Sequence, residues 1–281
     1  MDILSPSYSA MPEGILYPEY YDFFMNWKTP LVIAGIYTVA VTLLNPASSK
    51  LSRVVAKSSQ DAAAAAKVSE SSASMTAFVF VHNLILCVYS VITCIYMARG
   101  MVANYRHSES IKNAYCDKDS FLWNNSLGYW GYYFYLSKYY EIIDTVIILM
   151  KGRRSSLLQT YHHAGAMITM WAGIYYQTTP IWIFVLFNSF IHSIMYAYYA
   201  LTSVGVNPPG KKYLTSMQIT QFLVGTSFAV SYLFVPSCLR TPGQKFAVSV
   251  NVAYLCPLTY LFLDFARRTY GGGARKAKKV E

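Results

Sequence analysis

The chain has 281 residues, of which 54% are hydrophobic and only 13% charged, a deficit of charge far from the norm for soluble domains. That balance, with 26 Tyr, disfavours a disordered chain and a soluble globular enzyme. The net charge of +10 could suit nucleic acid, but the basic residues lie between apolar stretches and not along one stripe.

In chain order, the first 25 residues hold Pro, Glu, Asp and Tyr where a cleavable leader would have a basic start and an apolar core, and residues 1–28 read as a tail outside the membrane. A helical span takes about 20 mostly apolar residues. Seven stretches qualify, predicted at 29–45, 75–97, 127–150, 156–176, 179–203, 213–235 and 246–266, within a membrane domain over 29–268. The segment 46–74, with Ala62 through Ala66 between Ser-rich flanks, reads as a low-complexity linker, and 269–281 as a basic tail. The expected fold class is an all-α polytopic membrane protein with about seven transmembrane helices.

Lys and Arg set the orientation, because they accumulate on the cytosolic side. Fifteen lie in the linker, the third-to-fourth and fifth-to-sixth connections and the C-terminal tail, against seven on the other side. A lumenal N-terminus and a cytosolic C-terminus follow. The closing residues Lys278 and Lys279, three and four from the end, have the form of a retrieval signal for the endoplasmic reticulum. Asn124 opens a glycosylation sequon on the lumenal side. Cys116 and Cys238 fall in the two lumenal loops, the oxidising side, and are expected to form a disulfide; Cys87, Cys94 and Cys256 fall within spans.

Polar groups inside a span are costly and mark function by default. In the third span Lys138, Glu141, Asp144 and Thr145 share one helical face, at spacings that also suit an internal ion-pair ladder. Gln159 has His162 and His163 within reach in the fourth span, and Asn188, His192, Met195, Tyr196 and Tyr199 form one stripe in the fifth. Thr215, Gln218 and Gln221 repeat in the sixth, where interhelical hydrogen bonding is the favoured reading.

Three histidines with Glu141 or Asp144 would suffice in number for zinc, which keeps open a metal-dependent lipid hydroxylase or desaturase. No HExxH spacing supports it, and no metal is assigned. The span count alone would also suit a receptor or transporter. Imidazole acting as nucleophile or acid and base is the third possibility, suited to neutral pH by an ordinary pKa near 6.5.

Four boxes in sequence order carry a resemblance. Lys138 to Thr145 reads KxxExxDT, Gln159 to His163 reads HxxHH except at its first position, Asn188 to Tyr199 reads NxxHxxMYxYY, and Thr215 to Gln221 reads TxxQxxQ. Over residues 28 to 270 the chain resembles the very-long-chain fatty acid elongase (ELO) family. The resemblance implies six of the helices enclosing an acyl-chain tunnel and a decarboxylative condensation of acyl-CoA with malonyl-CoA, with no bound cofactor. His162 is then the candidate acyl-carrying nucleophile and His163 its orienting group or base, with His192 and Asn188 stabilising developing negative charge. Lys151, Arg153, Arg154, Lys211, Lys212, Arg267 and Arg268 are candidates for the CoA phosphates. Gln159, where the family has histidine, resembles the elongases of polyunsaturated chains. Reductases and a dehydratase are the implied partners beside membrane lipid, a homo-oligomer is left open, and nucleic acid is not expected.

Overall fold

The computed structural model describes residues 11–46 and 73–270. Among them every regular element is helical. A short α1 (Tyr21–Met25) leads into α2 (Lys28–Leu44). The long α3 (Ala73–His107) is followed by α4 (Ile111–Cys116). A π-helical turn over Trp123–Leu127 opens α5 (Gly128–Tyr140), which gives way at Glu141 to α6 (Ile142–Met150). Then come α7 (Leu157–Tyr175), α8 (Ile181–Ser203), α9 (Lys211–Phe234) and α10 (Pro242–Tyr270).

The boundaries have local causes. Ser156 caps α7, its Oγ accepting from the Gln159 amide at 3.2 Å, which satisfies one of the open N–H groups at a helix start. Gly210 takes φ +109° before α9, a backbone that side chains resist. Pro257 sits inside α10 and removes one ladder hydrogen bond there.

Packing closes a ring. Helix α3 lies along α8, α8 on α9, α9 on α10, α10 on α7 and α7 on α5, and α5 returns to α3 and α8. Helix α2 packs outside the ring on α7. The site therefore forms inside six spans, with the first as a buttress.

Each predicted stretch falls on a helix, with three differences. Helix α3 runs ten residues past the expected end at 97, because Arg99 and Arg106 end an apolar window without ending a helix. The third stretch breaks at Glu141. Residues 11–28, read as a tail, are in part structural: Tyr21 and Met25 are 2% and 1% exposed, and Trp171 Nε1 and the Tyr135 hydroxyl donate to the carbonyls of Met25 and Phe24 at 2.9 and 2.8 Å. By length and apolarity alone three helices qualify as spans, α3, α8 and α10, and the pair Pro18–Met25 with Lys28–Leu44, bent by 72°, adds a fourth. Helices α5 and α6, of 13 and 9 residues, fall short because the break at Glu141 divides their stretch, and α7 and α9 because they carry polar groups. Lys278 and Lys279 lie outside the described residues, as does nearly all of the linker.

At one end of the ring Cys116 and Cys238 are joined, Cα to Cα 4.5 Å, while Cys87, Cys94 and Cys256 are free. Beside the bridge the Asp117 carboxylate accepts the amides of Leu122 and Trp123 at 2.8 and 2.9 Å. Burial outweighs these bonds and pushes its pKa above the ordinary value. Mapping of peptides without reduction is expected to recover the two cysteines as one linked pair, and reduction to lower stability by about 2–4 kcal/mol. Recovery of both as free thiols would dismiss the bridge.

Candidate active site

The ring encloses a cavity of about 640 Å³ that reaches from Lys151, Arg153 and Lys211 at its mouth to Gln159, His162, His163, Asn188 and His192 inside. A second cavity of about 40 Å³ continues between Phe134, Ala166, Met170, Phe184 and Leu258. His162, Asn188, Gln221 and Phe222 line both. A polar mouth, a histidine cluster and an apolar end thus lie along one path.

Lys138 and Glu141 stand at its centre, 3% and 2% exposed. Lys138 Nζ donates to Glu141 Oε1 at 2.7 Å and to Asn188 Oδ1 at 3.1 Å, and lies 3.8 Å from the centre of the Phe134 ring. Since an ammonium only donates, Asn188 must turn its oxygen to Lys138 and its Nδ2 to His192 Nε2, 3.0 Å away. His192 therefore carries its proton on Nδ1, which faces Glu141 Oε1 at 3.8 Å. Glu141 also accepts from Ser137 at 3.2 Å, and its Oε2 has no partner among the described residues.

The shared face expected for the first box divides at the Glu141 break. Asp144 does not extend an ion-pair ladder; its two oxygens meet His82 Nε2 and the Tyr196 hydroxyl, each at 2.8 Å. Thr145 Oγ1 meets the Tyr37 hydroxyl at 2.8 Å and Gln159 Nε2 at 3.5 Å. In the second box Gln159 reaches only one of the two histidines, its Nε2 lying 2.8 Å from His163 Nε2. His162 turns the other way, with Nδ1 3.0 Å from the Tyr254 hydroxyl. In the remaining boxes Met195, Tyr196, Tyr199, Thr215, Gln218 and Gln221 all line the larger cavity. There Gln218 Nε2 lies 3.3 Å from Met195 Sδ, and Thr215 Oγ1 lies 3.3 Å from the Tyr270 hydroxyl.

Of the seven basic candidates, Lys151, Arg153 and Lys211 line the mouth. Burial, and after it the Arg153 charge, lower the Lys151 pKa from the ordinary lysine value. Arg154 and Lys212 stay outside the cavity lining, and Arg267 and Arg268 instead pair with Asp264 at 2.8 and 2.6 Å. Among the described residues no group of three or more His, Cys, Asp and Glu side chains is placed to hold a metal ion.

Sequence reasoning missed His82, Tyr254 and Tyr37, which lie outside every box. His82 did carry a signal, as a histidine in an apolar span. The two tyrosines carried none among 26.

Lys138→Met leaves a carboxylate buried without its counter-charge, for which about 3–5 kcal/mol is expected, read as a lower unfolding temperature in detergent. The double variant Lys138→Met/Glu141→Gln should recover most of that stability. Equal instability of the double variant would count against the ion pair as the source.

The ELO family model, described as the GNS1/SUR4 family, matches residues 22–280. Fatty acid elongase sre1 of Dictyostelium discoideum is 36% identical over 212 residues, covering 72% of this chain and 76% of that protein. Fatty acid elongase A of the same organism is 35% identical over 158 residues, 56% of each chain. Fatty acid elongase 2 of Trypanosoma brucei brucei is 28% identical over 189 residues, 64% of this chain and 69% of that one. The family match includes the helices that carry the polar cluster, and on this ground the chain belongs to the ELO family and is an integral membrane enzyme of fatty acid elongation.

Proposed function

We propose that the protein is the condensing enzyme of the elongation cycle, a β-ketoacyl-CoA synthase that joins a long-chain acyl-CoA to malonyl-CoA. The observation that carries this reading is the position of His162, at the junction of a polar-mouthed cavity and an apolar one. The CoA phosphates meet Lys151, Arg153 and Lys211 at the mouth, and the acyl chain runs past His162 toward Met170 and Leu258.

The His162 imidazole attacks the thioester carbonyl; a C–N bond forms, the C–S bond breaks and CoA leaves as the thiol once the ring proton is transferred. Malonyl-CoA then loses carbon dioxide, and the enolate carbon attacks the acyl-imidazole, releasing His162 and the β-ketoacyl-CoA. Asn188 and His192, held by Lys138 and Glu141, face the charge that develops on oxygen in this second half. His163, whose Nε2 faces Gln159, orients the nucleophile's surroundings.

The substrate class is a polyunsaturated acyl chain, supported by Gln159 at the first position of the second box. The basic-residue balance and the Lys278–Lys279 ending support the endoplasmic reticulum membrane, with the N-terminus lumenal, the C-terminus cytosolic and the cycle's reductases and dehydratase as partners. The chain then divides into a lumenal segment 1–28, the membrane domain 29–268 and a cytosolic tail 269–281.

Incubating the purified enzyme with acyl-CoA alone is expected to release CoA and to leave an acyl mass, labile to hydroxylamine, on the peptide holding His162. His162→Ala should abolish adduct and turnover, whereas His192→Ala should load acyl yet fail to condense. Each variant must first be shown monodisperse. An undiminished adduct in His162→Ala would move the nucleophile elsewhere.

A second experiment addresses substrate and orientation together. The chain, carrying a glycosylation tag at each end, is expressed in cells that lack their own elongases. Polyunsaturated products two carbons longer are expected, with only the N-terminal tag modified. Exclusively saturated products would overturn the substrate class, and a glycosylated C-terminal tag the orientation.

A further inference from the structure

Tyr254 makes two contacts that are both hydrogen bonds in only one arrangement. Its hydroxyl donates to the backbone carbonyl of His162 at 3.0 Å, and a carbonyl can only accept. A tyrosine hydroxyl has a single proton, so toward His162 Nδ1, also 3.0 Å away, it can act only as acceptor. In that arrangement Nδ1 carries the imidazole proton, and the lone pair is left on Nε2.

The seat of Tyr254 is shaped for this contact. Gly165 lies one helical turn along α7 from His162, and a Cβ there would collide with the Tyr254 ring. Tyr161 stacks on the same ring, centroids 5.5 Å apart, and its hydroxyl donates to the Tyr254 carbonyl at 3.3 Å. The ring is held from two sides with its hydroxyl over the start of the His162 turn.

The contrast with the neighbouring histidines gives the arrangement its use. Nε2 of His192 faces the Asn188 amide nitrogen at 3.0 Å, and Nε2 of His163 faces the Gln159 amide nitrogen at 2.8 Å. An amide nitrogen donates and does not accept, so both of those lone pairs are engaged. Among the described residues, His162 alone of the three has no hydrogen bond at Nε2.

We propose that Tyr254 is a positioning residue that holds the His162 proton on Nδ1 and so makes Nε2 the nitrogen that attacks the thioester. The proposal rests on the reading of His162 as the nucleophile. In the step, the Nε2 lone pair adds to the carbonyl carbon, the C–N bond forms and the C–S bond breaks, and CoA departs as thiolate. The acylated ring is cationic until Nδ1 releases its proton, which brings the thiolate to thiol and leaves a neutral acyl-imidazole. The Tyr254 oxygen, accepting from Nδ1–H, steadies the ring while it is cationic.

Tyr254→Phe keeps the ring on Gly165 and Tyr161 and removes the hydroxyl. Single-turnover CoA release from acyl-CoA without malonyl-CoA is expected to slow about tenfold, with KM for acyl-CoA unchanged and the unfolding temperature close to that of the parent chain. Independently of any Tyr254 variant, nitrogen NMR of the full chain with labelled histidine is expected to show His162 protonated at Nδ1 and bare at Nε2, its signals assigned by their loss in His162→Gln. Acyl loading by Tyr254→Phe at the parent rate, or a His162 proton found on Nε2, would overturn the proposal. If the parent chain itself forms no acyl adduct, the nucleophile reading fails and the role of Nε2 with it. Normal loading by the parent together with either adverse result for Tyr254 defeats this inference alone.

Discussion

The arrangement depends on a charge pair placed where charge is most costly. Lys138 and Glu141 sit inside the ring, and bringing either ion out of water costs several kcal/mol even after relaxation. That cost is offset only if each charge finds further partners. Lys138 takes Asn188 from α8 and the Phe134 ring, and Glu141 takes Ser137 and faces His192. The pair thus binds α5 to α8 across the interior and fixes the amide that fixes His192. A single buried ammonium sets both the packing of two spans and the proton position of one histidine.

Lipid supplies no hydrophobic drive to bring spans together, so polar and close-packed contacts decide which helices associate. The break at Glu141 serves that need. It lets residues four apart or fewer point to different neighbours: Asp144 to His82 on α3 and Tyr196 on α8, Thr145 to Tyr37 on α2 and Gln159 on α7. The polar groups that make these helices poor partners for lipid are therefore the groups that assemble them, and the apolar helices α3 and α8 supply the walls.

Spans were legible because the bilayer sets their length, and the four boxes were legible because costly residues recurred at helical spacing. Their partners were not. His82 and Asp144 are 62 positions apart, and His162 and Tyr254 are 92 apart; contacts of that range depend on how the ring closes, which periodicity does not encode. Of the ion-pair ladder the Lys138–Glu141 rung forms, at 2.7 Å; Asp144 leaves it for a local reason, since helical spacing assumes an unbroken helix through Glu141. Among the basic residues, Arg267 and Arg268 read as phosphate ligands by their side of the membrane, but an acidic residue one turn earlier, Asp264, takes them both.

Gln159 bears on the chemistry as well as on the family pattern. A histidine at that position could donate or accept according to its tautomer and its charge, and the neighbouring ring would follow. A glutamine amide nitrogen donates at every pH at which the protein is folded, so it keeps the Nε2 lone pair of His163 engaged and the His163 proton on Nδ1. Asn188 does the same for His192, with Lys138 removing the amide's freedom to flip. Two non-titrating amides thus hold two imidazoles in one tautomer each. A cluster of three histidines, which by composition alone could share protons in many ways, is reduced among the described residues to one with a single unengaged lone pair, on the His162 ring that lines both cavities.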